Sequence, residues 1–175
     1  MRYIHTRSIV FTSLCIAIGL LLPQIVKMIP MAYPGSVLLP MHIPVLICGF
    51  LCGWRLGGLC GMTLPLLASI LTGMPPIFPI GIAMIFELGT YGALTGILYH
   101  YTNGKILISI LGAMLGGRIV LGIVNIFLFN LANNPYGLAV FFTSAFVTAL
   151  PGIIIQLILV PASIQALEKS RLIAK

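Results

Sequence analysis

Apolar stretches long enough to cross a bilayer occupy nearly all of this chain, and its few charges stand mostly at their ends. The bilayer is its solvent. With 60% apolar residues, 6% charged residues and a mean hydropathy of +1.19, the composition lies far outside that of soluble globular domains. At about 20 residues per transmembrane helix, 175 residues hold five or six passes and no soluble domain. The expected architecture is all-α: an integral membrane bundle of six transmembrane helices, a single domain over residues 1–175.

The first span is expected over residues 8–26, behind Arg2 and Arg7. No small-residue cleavage site follows it, so it reads as retained rather than as a signal peptide. A proline-rich loop, 27–40, leads to a short second segment that starts at His42 and ends at the Gly53-Trp54-Arg55 turn. That segment is too short to cross upright unaided. Spans over 56–72 and 79–99 are joined by the Gly73-Met74-Pro75-Pro76 bend, a strong chain break. A fifth runs from the Thr102-Asn103-Gly104-Lys105 turn to 130, and after Asn133-Asn134-Pro135 a sixth covers 138–167, with kinks expected at Pro151 and Pro161. Six passes put Arg2, Arg7, Arg55, Lys105, Lys169, Arg171 and Lys175 on one side and Lys27 alone on the other. The positive-inside rule then makes both termini cytoplasmic, in a multi-pass cell-membrane protein. No repeat period or low-complexity tract appears.

The charges also exclude function classes. Glu87 and Glu168 are the only acidic residues, so paired-carboxylate catalysis and Asp-rich metal sites lack their parts. The net charge of +7 is dispersed singly at segment ends, as topology signals rather than a nucleic-acid surface. Cys15, Cys48, Cys52 and Cys60 form no C-x-x-C and have no histidine at ligand spacing, so they read as core thiols; no metal or cofactor is expected. An intramembrane hydrolase would have His42 near Cys48 but no third orienting group. The chain reads as a non-enzyme. It also lacks a Gly-rich phosphate loop, so any ATP must be hydrolysed by another subunit.

Two charges remain inside the apolar volume. Glu87 lies thirteen residues before His100 and Arg118 thirteen after Lys105, so antiparallel fourth and fifth helices hold them at one depth, roughly 20 Å in. Burying either alone costs about 2.5–3.5 kcal/mol or more, so each should face protein or a water-filled cavity. One reading is a helix pair pinned by mutual neutralisation. The other is a ligand site, in which Arg118 offers a fork of donors to a carboxylate while Glu87 holds the guanidinium or accepts from a hydroxyl. Tyr91 and Asn125 continue the same helical faces. His42, at the outer end of the second segment, either closes over a ligand or caps the helix start. Asn125 and Gln156 also suit ordinary interhelical hydrogen bonds, worth about 0.6 kcal/mol on average. His5 and His100 read as interfacial. On the first helix Ser13 and Ala17 make a small-x-x-x-small step that admits another helix backbone, internal or a partner's.

The run LPMHIPVLICGFLCGW from Leu39, GMPP from Gly73, FELGTYG from Phe86 and GGRIV from Gly116 together resemble the substrate-binding S components of energy-coupling factor transporters. The resemblance implies a six-helix membrane protein that captures a vitamin or related micronutrient. A membrane coupling subunit and two ATPase subunits would drive its release inside. It places a substrate site in the outer half, which here directs attention to His42, Glu87, Tyr91, Arg118 and Asn125, and a docking step on the first helix that matches Ser13 and Ala17. The LPMHIPVL and GMPP pattern looks closest to the pantothenate branch, whose substrate has a carboxylate and hydroxyls suited to Arg118 and Glu87. The competing expectation is a stand-alone secondary transporter of a small polar solute, coupled to protonation of Glu87.

Overall fold

The computed structural model describes residues 6–131 and 137–169, and every regular element among them is helical. Arg2, His5, Arg171, Lys175 and the Asn133-Asn134-Pro135 turn lie outside the described residues. The order is α1 (Thr6–Val26), α2 (Pro34–Leu38), α3 (His42–Thr72), a π-helical turn (Ile77–Gly81), α4 (Ile82–Tyr101), α5 (Ile106–Leu131), α6 (Leu138–Phe142), a second π-helical stretch (Thr143–Thr148) and α7 (Leu150–Lys169). Five stretches are long and apolar enough to cross a membrane: 6–26, 34–72, 77–101, 106–130 and 150–169.

The sixth expected pass is contained in α3. Gly53, at φ +80° and ψ 177°, breaks the helix, a torsion that only glycine adopts readily. The two arms, 42–52 and 54–72, fold back on one another there. A Cβ on Gly57 would come within 2.7 Å of the Gly49 Cα, and the Cys48 thiol reaches the Leu56 carbonyl at 3.8 Å. The first arm rises about 16 Å, half the hydrocarbon thickness of about 30 Å, so it carries His42 only part of the way across. The last span differs from expectation. Its break comes at 143–149, ahead of Pro151, which occupies the first turn of α7, where a missing N–H costs nothing. Helix α7 then runs unbroken past Pro161.

Helix α4 packs between α3 and α5, and small residues set the approach. A Cβ on Gly61 would collide with the Leu88 carbonyl, and one on Gly92 with that of Gly57. Such close helix approach is how membrane bundles gain dispersion energy, because lipid offers no hydrophobic drive between helices. Helix α1 lies against α3 through Thr12, Cys15, Gly19 and Pro23. The start of α7 receives α2: a Cβ on Gly152 would lie 2.7 Å from the Val37 carbonyl.

These contacts order the bundle's ends. Cys52 approaches Ser8 (3.4 Å), Gly96 abuts Trp54, and Tyr99 donates to Glu168 at 3.3 Å. Arg7, Arg55, Lys105 and Lys169 therefore gather at one end, and Lys27 lies at the other. Between the ends, large apolar side chains such as Leu21, Ile70, Leu115, Ile123 and Ile158 point outward. Outward apolar faces on long helices are the arrangement lipid requires.

Candidate functional site

Four polar residues meet where the first arm of α3, α4 and α5 converge. His42 opens α3: Leu39 adopts a left-handed conformation (φ 49°), and the His42 N–H donates to its carbonyl at 3.1 Å. This tight turn buries His42 at the start of the arm. On α4, Glu87 and Tyr91 are one turn apart on one face, while Gly89 and Gly92 turn toward the second arm of α3. On α5, Gly116 and Gly117 precede Arg118. A Cβ on Gly117 would lie 2.8 Å from the Tyr91 ring, and one on Gly116 would strike Leu94. The two glycines of GGRIV thus bring α4 close enough for Arg118 to reach Glu87.

The Arg118 Nη1 lies 2.9 Å from the Glu87 Oε1, and the His42 Nε2 lies 3.6 Å from the same oxygen. The matching depth expected from the sequence is realised as an ion pair. The Tyr91 ring stands edge-on to the His42 imidazole, centroids 5.1 Å apart and planes at 78°. Asn125 is buried two turns farther along α5, about 10 Å away in rise. Ser13 and Ala17 lie elsewhere, exposed on the outward face of α1, with the Ser13 hydroxyl returned to the Ile9 carbonyl.

The pair does not open onto an inner chamber: His42 is 1% exposed, Glu87 2%, Tyr91 0% and Arg118 5%. The imidazole and phenol rings pack against one another beside the pair. Two surface grooves, one between the second arm of α3 and α4 and one along 139–148, do not reach the cluster.

Enclosure leaves these groups unsatisfied. Among the described residues, the buried side-chain polar atoms without a hydrogen bond fall on five residues. They are both ring nitrogens of His42, Oε1 of Glu87, the Tyr91 hydroxyl, Nε and Nη2 of Arg118, and both amide atoms of Gln156. The Arg118–Glu87 approach is close but not aligned as a hydrogen bond. A buried polar atom without a partner costs about 1–3 kcal/mol, and native structures hold few of them. A pin between two helices would need the ion pair alone. Donors exceed acceptors among these atoms. The described residues hold no group of His, Cys, Asp or Glu placed to bind a metal.

Gln156, read from sequence as an ordinary interhelical bond, has no such partner. No local motif in the sequence marks it.

Comparison with curated proteins and with solved structures gives no match. A family model does match, over residues 7–164, described as ECF transporter, substrate-specific component. That span includes the Gly53 break, the GMPP bend and all four residues of the polar cluster, and this chain belongs to the family of substrate-specific components of ECF transporters.

Proposed function

We propose that this protein captures a small anionic nutrient, with pantothenate the best-fitting candidate, through His42, Glu87, Tyr91, Arg118 and Asn125. As a substrate-specific component it works in a bilayer with a membrane coupling subunit and ATPases. The observation that carries the site reading is the concentration of unpaired buried donors around one ion pair. A carboxylate suits the free Arg118 Nε and Nη2 edge, which presents parallel N–H groups to a planar anion. Hydroxyls suit Tyr91 and His42, and Glu87 holds the guanidinium while its charge is matched. Because the layer is enclosed, the ligand enters when the segment that leads into His42, α2 with its flanking loop, moves aside.

Energy coupling fits the exposed step on α1. Ser13 and Ala17 present a flat, small-residue strip to the coupling subunit. The basic end carrying Arg7, Arg55, Lys105 and Lys169 is the cytoplasmic one by the positive-inside rule. Both termini then lie in the cytoplasm, and the His42 end of the first arm faces outward.

Mass spectrometry of small molecules retained through gentle purification, followed by calorimetric titration of the ligand-free protein, tests the reading. A retained vitamin-like anion that binds saturably, and binds Arg118→Ala far more weakly, supports it. Uptake by vesicles lacking coupling and ATPase subunits, driven by a proton gradient, would instead favour the stand-alone carrier.

A further inference from the structure

Gln156 is fully buried on α7, and neither its amide oxygen nor its amide nitrogen has a hydrogen-bond partner. Its depth follows from one contact. At the basic end Tyr99 donates to Glu168 at 3.3 Å, tying α4 to α7, which run in the same direction. Glu87 lies twelve residues before Tyr99, and Gln156 twelve residues before Glu168, each along an unbroken helix. Both therefore stand about 18 Å above that contact. At the opposite end Gly152 abuts Val37 and Leu38. Counted along the two helices from the basic end, the glutamine falls at the depth of Glu87, and α7 packs against both α3 and α5, which supply His42 and Arg118.

We infer that Gln156 is a further specificity-determining residue of the capture site and reads an amide group on the ligand. The inference rests on the capture reading above. A primary amide offers one acceptor and one donor side by side, complementary to the N–H and C=O of a secondary amide. Arg118 takes the anionic end of the ligand, and Gln156 takes a neutral amide elsewhere in the same layer. The substrate class is thereby narrowed to carboxylates that carry an amide. Burial makes the readout selective, because a ligand without the amide would leave both Gln156 atoms unpaired.

The test is a binding cycle on the purified full-length protein, with pantothenate and its analogue in which an ester replaces the amide as probes. The proteins are wild type, Gln156→Leu and Gln156→Glu, each first checked for an unchanged unfolding temperature profile and elution volume. Wild type should bind pantothenate roughly 10-fold more tightly than the ester. In Gln156→Leu, which removes both hydrogen bonds where the ester removes one, pantothenate affinity should fall by more than that factor and the preference should vanish. Gln156→Glu keeps the acceptor and, as the carboxylate, loses the donor; it should repel both anionic probes. Gln156→Leu binding with wild-type affinity and preference would overturn this inference and leave the capture reading standing. No binding of pantothenate by wild type would overturn the pantothenate reading and this inference with it. If Gln156→Leu proves too unstable to assay, Gln156→Glu decides: wild-type affinity in that variant overturns the inference.

Discussion

Removing Arg118 alone should damage the protein more than removing the whole ion pair. In Arg118→Met the Glu87 carboxylate, 2% exposed and 2.9 Å from the lost Nη1, is left buried without its cationic partner. Breaking a buried pair from one side costs about 3–5 kcal/mol. For a chain of this size, 1 kcal/mol moves the unfolding temperature by about 2–4 °C, so the midpoint should fall by roughly 6–20 °C. The double variant Glu87→Met/Arg118→Met removes both desolvated charges and fills the space with apolar atoms of similar size. Such replacements are often neutral or stabilising by about 1–4 kcal/mol, so its midpoint should return to the wild-type value or exceed it. A thiol-reactive dye provides the assay, because Cys15, Cys48 and Cys60 are free and buried and react only as the fold opens. If the effects of Arg118→Met and Glu87→Met simply add in the double variant, the residues are not energetically coupled and the expectation fails.

Three further outcomes follow from other parts of the molecule. Gly53→Ala places a Cβ on a torsion of φ +80° and should cost about 1–3 kcal/mol, lowering the dye-detected midpoint and loosening His42 with it. Ser13→Trp and Ala17→Trp, on the outward face of α1, should leave ligand affinity intact while abolishing co-purification with the coupling subunit; unchanged co-purification would move the docking face elsewhere. His42→Ala removes the ring that stands over Tyr91 and beside Glu87. Calorimetry should show ligand affinity lower by roughly 10-fold, the worth of one hydrogen bond.

Much of this arrangement was legible from residue order. Apolar run lengths and prolines mark the helices, and the equal spacing of Glu87 and Arg118 from the Thr102–Lys105 turn foretells their pairing because an α-helix converts residue number into depth. Gly53 was readable as a turn. The sequence could not show that α3 continues across it as two packed arms, since the folding back depends on Gly49 and Gly57 meeting in space. The break at 143–149 was also hidden: prolines at 151 and 161 are the visible signals, yet a proline in a first turn perturbs little, and the π-helical stretch ahead of it has no compositional mark. Enclosure of the ion pair was not legible either. It depends on side chains of α3, α4 and α5 meeting in space, His42 and Tyr91 edge to face among them. Gln156 was underestimated for a related reason, because its partnerless state is a property of three-dimensional packing.

If the buried Glu87–Arg118 layer receives the solute, the Glu87→Met/Arg118→Met variant, whose fold should survive, loses the binding site. Calorimetric titration of wild type and this variant with the compound retained by the wild-type protein is the decisive measurement. Binding should be saturable in wild type and absent from the folded double variant. Equal affinity in both would contradict the capture reading and leave the ion pair as packing alone.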